Sequence, residues 1–102
     1  MRILVFFDLP VKTKEERRDS NKFRRFLCGD GYDMLQLSVY SRVCSGGDVI
    51  DKHLKRLTTN LPPKGSVRFL QITEKQYSSM LFLVGNPTLK EKKIGANQLV
   101  LF

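Results

Sequence analysis

Short apolar runs along the chain predict β-strands. Residues 3–7 form an unbroken run of β-branched, aliphatic and aromatic side chains that stops at Asp8, which predicts a buried strand followed by a turn. Apolar and polar side chains alternate over residues 34–43, and this alternation is typical of strand structure. Two further strands are expected over residues 66–73 and 80–84.

Two stretches have the spacing of amphipathic helices. Thr13 followed by Glu16 is a capping-box pattern, so a first helix is expected to begin there and to continue to Gly29 or Gly31. After a glycine pair, apolar residues recur at helical spacing until Pro62-Pro63, which predicts a second helix. The expected apolar positions are Phe23, Phe26 and Leu27 in the first helix and Ile50, Leu54, Leu57 and Leu61 in the second.

The order of these elements predicts the fold class. The order βαββαβ is that of a ferredoxin-like α+β domain with an antiparallel sheet, and 102 residues suit one compact domain. We expect this domain to cover residues 1–85 and residues 86–97 to form a polar linker. The apolar residues 98–102 then predict an extra C-terminal strand, which could pair with the sheet of a dimer partner.

The predicted sheet has apolar side chains on both faces. In the first strand Ile3, Val5 and Phe7 lie on one side, and Leu4 and Phe6 lie on the other. The two helices of a βαββαβ chain cover only one face, and no other part of the sequence is left to cover the second. We therefore predict a two-fold homodimer formed through this second face.

The charge of the chain favours a polyanionic partner. The net charge is +8 and the pI is about 9.8, which favours nucleic acid, although a charge that serves only solubility is the alternative. A step of about 100° per residue places a basic side on the first helix, opposite its apolar side. This side carries Lys14, Arg18, Asn21 and Arg25, with Arg17 and Arg24 flanking it. Such a side would contact successive phosphates, and Arg42 and Arg68 are candidates to extend it.

Asp8 is the candidate metal ligand. It stands where the first strand ends and shares a side with Leu4 and Phe6, the side that would meet the partner. Two copies of its carboxylate, facing each other across the two-fold axis, could hold one Mg²⁺, a cation that prefers oxygen ligands. Such a cation supports phosphodiester hydrolysis. The alternative is an aspartate that only accepts a hydrogen bond from the turn.

Other polar residues carry less specific signals. Glu16 and Asp19 fall on the inward side of the first helix, where their expected role is to favour the positive end of the helix dipole rather than to bind a metal. His53, the single histidine, is expected on the flank of the second helix. Nothing in its spacing indicates a nucleophilic pair with a cysteine.

The compartment is predicted from the cysteines and the apolar runs. Cys28 and Cys44 support neither a disulfide framework nor a zinc site, and both are expected to be reduced. The apolar runs are too short for a signal peptide or a membrane span. These features favour a cytoplasmic protein with no membrane partner.

Several segments form a combination that is more specific than any one of them. They are Phe6-Phe7-Asp8-Leu9-Pro10, Glu15-Glu16-Arg17-Arg18, Lys22-Phe23-Arg24-Arg25-Phe26-Leu27, Gly31-Tyr32, Met34, Gln36, Ser38-Val39-Tyr40-Ser41, Thr73-Glu74-Lys75-Gln76 and Leu99-Val100-Leu101-Phe102. In this order they resemble the second core CRISPR-associated protein family, the small subunit of CRISPR adaptation. The Asp-Leu-Pro and Thr-Glu-Lys-Gln elements are most similar to its type II branch.

The resemblance implies partners and roles. It implies a homodimer that bridges dimers of the CRISPR integrase and binds double-stranded DNA as a new spacer, while integration is the chemistry of the integrase. It also implies that Asp8 is the Mg²⁺ ligand of a metal-dependent endonuclease and that Lys14, Arg17 and Arg18 contact the duplex. Three functions stay open: a DNA-binding scaffold without required chemistry, a Mg²⁺-dependent nuclease, and a stand-alone toxin-like ribonuclease.

Overall fold

A computed structural model of the chain describes residues 1–85. In chain order its elements are β1 (Arg2–Asp8), α1 (Lys14–Gly29), β2 (Asp33–Gln36), β3 (Val39–Val43), α2 (Gly47–Thr59), β4 (Ser66–Ile72) and α3 (Glu74–Ser78). The first six elements follow the predicted βαββαβ order. The linker predicted over residues 86–97 and the strand predicted over residues 98–102 lie outside the described residues.

The four strands form one sheet in the order β2-β3-β1-β4. β1 runs antiparallel to β3, so that Val5 faces Tyr40 and Phe6 faces Val39. β3 also runs antiparallel to β2. The most apolar strand, β1, therefore lies inside the sheet, and the α+β ferredoxin-like class is confirmed.

The first helix begins and ends where its local sequence predicts. The Thr13 hydroxyl accepts a hydrogen bond from the backbone N–H of Glu16, and the Glu16 carboxylate accepts one from the N–H of Thr13. This reciprocal capping box satisfies N–H groups that have no partner inside the helix. At the other end α1 stops at Gly29, and Gly31, with φ +90°, turns the chain towards β2.

The core lies between one face of the sheet and the two long helices. Its buried members are Ile3, Val5, Phe7, Phe23, Leu27, Tyr32, Tyr40, Cys44, Ile50 and Leu57. Phe7 links the layers, because its ring meets Phe23 of α1 edge-on at 5.2 Å and stacks on Tyr40 of β3 at 5.6 Å. Burying an apolar side chain of this size stabilises the fold by about 1.5–3 kcal/mol.

The second helix corrects two predictions. His53 is not a flank residue: it is 1% exposed and belongs to the buried stripe with Ile50 and Leu57. Leu54 and Leu61, which were expected on the apolar side, are exposed. His53 can be buried because its ring has the hydrogen-bond partner that a buried histidine needs. That partner comes from the end of another helix.

Asp30 supplies this partner and joins three elements. Its buried carboxylate lies 2.8 Å from Nδ1 of His53 and 2.7 Å from Nη2 of Arg56, both on α2. Its backbone carbonyl accepts a hydrogen bond of 2.8 Å from Nε of Arg42 on β3. Because Asp30 follows α1 directly, this one residue ties the end of α1 to α2 and to β3.

The run over residues 34–43 forms a hairpin rather than one strand. A turn at Leu37 and Ser38 separates β2 from β3, and a register shift lies between Met34 and Gln36. Leu37 is 75% exposed as a result. A bulge and a tight turn both interrupt the period of two on which the prediction rested.

The chain divides into two compact units, of which the first covers Met1–Gln71 and the second begins at Ile72. Its described part contains α3, which the capping box of Thr73 and Gln76 begins. The prediction of a strand over residues 80–84 is wrong, because these residues form no helix or strand and Val84 is 94% exposed. An apolar run becomes a strand only when a neighbouring backbone takes its hydrogen bonds, and no strand within residues 1–85 does so.

Among residues 1–85, no helix combines the length and the apolar character that a bilayer span requires. Cys28 and Cys44 are both free thiols, the first exposed and the second buried.

Candidate nucleic-acid and metal-binding surface

Asp8 lies at the exposed end of β1. On the side of the strand that faces away from the helices, Arg2 and Leu4 are buried, Phe6 is half-buried and Asp8 is exposed. The prediction of an entirely uncovered second face is therefore wrong for the first half of the strand. The uncovered part is the end that carries Asp8.

A groove of about 700 Å³ opens around this end of the sheet. Its lining residues are Phe6, Phe7, Asp8, Ser38, Val39, Ser66, Arg68, Phe69 and Leu70. Among the described residues of this lining, Asp8 is the one acid and Arg68 the one base, and two serines contribute hydroxyl groups. The groove thus offers an anionic and a cationic group above a largely apolar floor.

Gly65 holds the start of β4 against the end of β1. Its backbone φ of +93° is an angle that residues with a side chain rarely adopt. A β-carbon at this position would lie 2.6 Å from the carbonyl oxygen of Asp8 and 2.8 Å from Cδ2 of Leu9. Only glycine fits such a close approach, so the groove depends on this residue for its shape.

The Asp8 carboxylate is not engaged by the turn that follows it. Within residues 1–85 its oxygens accept no hydrogen bond and form no ion pair. The same part of the chain holds no group of three or more His, Cys, Asp or Glu residues that could bind a metal. A single carboxylate such as that of Asp8 is compatible with Mg²⁺, because this cation usually binds proteins through one or two carboxylates together with water and phosphate oxygens.

The basic side of α1 is exposed and unpaired. Lys14, Arg18 and Arg25 are all exposed, and no carboxylate of residues 1–85 lies within 4 Å of their charged groups. A solvated helix face usually mixes both signs of charge. This side presents only positive charge to a partner.

The flanking arginines of α1 have local contacts. Arg17 donates to the carbonyl of Lys12 at 3.0 Å and to that of Val11 at 3.3 Å, which holds the loop before the helix. Arg24 donates to the carbonyl of Leu37 and lies over the ring of Phe7, 5.1 Å from its centroid. Both are therefore less free than Arg18 and Arg25 to bind a ligand.

The two further arginine candidates differ in the same way. Arg42 donates to the carbonyls of Asp30 and Val43, and its guanidinium packs on Gly31. It has a structural role at the turn between α1 and β2. Arg68 instead lies in the groove with Asp8.

The acids at the start of α1 have the expected positions. Glu16 accepts the capping hydrogen bond from the N–H of Thr13, which lowers the pKa of its carboxyl group, and burial opposes this shift. Nζ of Lys64 lies 3.8 Å from the same carboxylate. Asp19 is half-buried one turn further on. Glu16 therefore serves the start of the helix, whereas Asp19 lies beyond its first turn.

Sequence reasoning missed the groove as a unit. The signal was present in β4, where Ser66, Arg68 and Leu70 alternate with Val67 and Phe69. Ser66, Arg68 and Leu70 line the groove, whereas Val67 and Phe69 pack against the core, and Phe69 also contributes to the groove lining. The strand that lies next to Ser66, Arg68 and Leu70 depends on the order of the strands in the sheet, which cannot be read from the sequence.

The fold and the surface define a small ferredoxin-like α+β protein with a basic first helix and an exposed aspartate at the end of its first strand. The family model described as CRISPR associated protein Cas2 matches residues 1–80, and the chain belongs to this family. The resemblance seen in the sequence is thereby confirmed.

Individual relatives agree with this assignment. The chain is 58% identical over 102 residues to the CRISPR-associated endoribonuclease Cas2 of Acidovorax ebreus (strain TPSY), with 100% of both chains covered. It is 44% identical over 101 residues to the protein of that name from Ligilactobacillus salivarius (strain UCC118), with 99% of both covered. The crystal structure of Streptococcus pyogenes Cas2 at pH 6.5 matches with a TM-score of 0.56 and 26% identity, over 76% of this chain and 92% of that chain.

Proposed function

We propose that this chain is the small subunit of CRISPR adaptation: it dimerises, bridges dimers of the CRISPR integrase and binds the DNA duplex of a new spacer. The observation that carries the DNA-binding part is the exposed, unpaired basic side of α1. Membership of the family supports the link to CRISPR. The bridging of the integrase rests on the family resemblance alone.

The length of the basic side suits a duplex. At 1.5 Å per residue, the helix rises roughly 16 Å from Lys14 to Arg25, the axial length of about five base pairs at 3.4 Å each. Phosphate contacts of this kind position a duplex without reading its sequence. A subunit that handles spacers of many sequences needs this kind of binding.

The homodimer is proposed to form at the uncovered end of the second sheet face. Leu70, at 47% exposure, lies there beside the half-buried Phe6 and Val39. A second copy would remove these apolar side chains from water. A two-fold axis near this end would also bring the Asp8 carboxylates of both copies towards each other.

We further propose a Mg²⁺-dependent endonuclease activity at Asp8. The free, exposed carboxylate favours this activity, and so does the name endoribonuclease that the relatives carry. Mg²⁺ bound at Asp8 would stabilise negative charge that develops on a phosphodiester. Asp8 would hold the cation, and the basic side of α1 would hold the nucleic acid.

The DNA-binding role is tested by charge reversal. We expect the double variant Arg18→Glu, Arg25→Glu to bind a spacer-length duplex at least about tenfold more weakly, and the slope of log K against log salt to fall by about two. Fluorescence anisotropy at several salt concentrations measures both quantities. The matched control is Lys52→Glu, Lys55→Glu, which makes the same charge change on α2. Equal losses in the two variants would show that only net charge matters.

The activity at Asp8 is tested separately. We expect Asp8→Asn to abolish cleavage of single-stranded RNA and duplex DNA, as EDTA does, and to leave duplex binding unchanged. Cleavage that persists in purified Asp8→Asn protein would exclude this residue as the ligand. Spacer acquisition in cells that carry Asp8→Asn then separates a scaffold, which continues to support acquisition, from a subunit whose nuclease activity is required.

A further inference from the structure

We infer that Arg24 is a positioning residue for the dimer: it fixes the turn between β2 and β3, and this turn sets the place of Val39 in the interface. The inference rests on the dimer of the proposed function, because it names a residue on which the same interface depends. It gives Arg24 a role unlike that of its neighbour Arg25, which belongs to the exposed basic side of α1.

The turn between β2 and β3 does not match the twist of the strands that it joins. Gln36 pairs with Val39, so Leu37 and Ser38 form a two-residue loop. The favoured loops of this length need positive φ at one or both of their residues, but within residues 1–85 only glycines have positive φ. Two-residue loops of the other types splay their strands apart. This end of the hairpin therefore needs contacts from outside it.

Arg24 supplies one of these contacts. Its guanidinium donates a hydrogen bond to the carbonyl of Leu37 and lies over the ring of Phe7, 5.1 Å from the ring centroid. A hydrogen bond from a charged donor is stronger than one between neutral groups, and an aromatic face attracts a cation. The guanidinium is thus held between the turn and β1.

Phe7 connects the turn to the core. Its N–H donates to the carbonyl of Ser38 at 3.0 Å, and its buried ring contacts aromatic rings of α1 and β3. Because the core fixes Phe7, the turn is attached to β1 in two places, at one of them directly and at the other through Arg24.

The turn lies at the proposed dimer interface. Val39 follows it directly, pairs with Phe6 of β1 and lines the same groove as Phe6 and Leu70, the apolar side chains that a second copy would cover. The core of an interface packs as closely as a protein interior, so a displaced turn would spoil the fit of Val39. Arg24 acts on the interface through the turn and does not itself contact the partner.

The surroundings of Arg24 separate it from the residues that are proposed to bind the duplex. Arg24 is half-buried, and its guanidinium is engaged by the turn. Arg18 and Arg25 are exposed, and no carboxylate of the described residues lies within 4 Å of their charged groups. Removing the guanidinium of Arg24 should therefore weaken the dimer, whereas removing that of Arg25 should weaken duplex binding.

The first experiment compares Arg24→Met, Arg24→Lys and the matched control Arg25→Met, which removes the same charge one residue further along α1. Sedimentation equilibrium measures the dissociation constant of the dimer. We expect Arg24→Met to raise this constant about tenfold, because the turn loses a hydrogen bond from a charged group. Arg24→Lys should recover part of the loss, since its ammonium keeps a charge near the ring and a donor for the carbonyl. Arg25→Met should leave the constant unchanged.

The second experiment follows the turn itself by amide hydrogen exchange, measured by NMR. The background is Leu70→Glu, which places a charge in the proposed interface and should keep the protein monomeric, so this measurement does not depend on the dimer. There we expect Arg24→Met to raise the exchange rate of the Phe7 N–H about tenfold, because its acceptor lies in the turn. The N–H of Leu57, inside α2, should exchange at an unchanged rate.

Three results would overturn the inference and leave the proposed function standing. Unchanged exchange at Phe7 in Arg24→Met would show that Arg24 does not hold the turn. Equal dimer dissociation constants for Arg24→Met and Arg25→Met would show that the turn does not position the interface. Loss of folding in both Arg24 variants, seen by circular dichroism, would make Arg24 a residue of the general fold. A monomeric wild-type protein would instead overturn the proposed dimer and this inference together.

Discussion

At the scale of single residues, two buried side chains have polar atoms without a hydrogen-bond partner within residues 1–85. They are the hydroxyl of Tyr32 and Nε2 of His53, whose rings meet edge-on with centroids 6.3 Å apart. Burial raises the pKa of Tyr32 from 10.0 to about 12, and the charge of nearby Asp30 adds to this effect. The hydroxyl of Tyr32 therefore costs stability in the folded state.

We expect Tyr32→Phe to raise the free energy of unfolding at neutral pH by about 1 kcal/mol, because an enclosed hydroxyl without a partner is replaced by an apolar group of similar shape. The wild-type phenol holds its proton more tightly when folded than when unfolded. The part of the folding stability that depends on this protonated phenol is therefore complete below about pH 10 and is lost as the pH rises through about 12. Tyr32→Phe should lose less stability over this alkaline range.

Urea unfolding at neutral pH and at alkaline pH measures both effects. Tyr40→Phe is the matched control, since Tyr40 is as buried as Tyr32 but its hydroxyl is not among the enclosed atoms without a partner. A variant Tyr32→Phe that is less stable than the wild type at neutral pH would show that the hydroxyl has a partner after all.

At the scale of elements, the contact between β1 and β4 depends on one glycine. We expect Gly65→Ala to lower the free energy of unfolding by about 1–3 kcal/mol, because the residue has positive φ and its β-carbon would overlap the Asp8 carbonyl. Gly29→Ala is the control, because a β-carbon at Gly29 meets nothing within 4 Å. Thermal unfolding of the two variants provides the measurement, and similar melting temperatures would contradict the assigned contact.

The elements also show where local sequence is sufficient. α1 begins at its capping box and ends at Gly29 as predicted, because caps and glycines act within a few residues of the helix ends. The buried side of α2 was predicted less well, because the place of His53 depends on Asp30, which lies far away in the sequence. The strand predicted at residues 80–84 is absent, because an apolar run does not supply its own hydrogen-bonding neighbour.

At the scale of the whole molecule, the proposed dimer rests on the apolar side chains at the uncovered end of the sheet. We expect Leu70→Glu to shift the protein from dimer to monomer at micromolar concentration, because the charge would lie in the interface. Leu54→Glu is the control, since Leu54 is 41% exposed, against 47% for Leu70, but lies on α2. Sedimentation velocity measures the mass, and a wild-type monomer would contradict the proposed interface.

The sequence by itself determined the α+β ferredoxin-like class, the start and end of α1, the basic side of that helix and the family. The helix ends depend on residues that are close together in the sequence. The family can be identified from the order of its motifs along the chain. Only the tertiary structure decided that His53 is buried against Asp30, that Leu4 is covered while Asp8 is exposed, and that Arg68 lines the groove with Asp8. Each of these depends on contacts between distant segments, which hydrophobic periodicity along one chain does not specify.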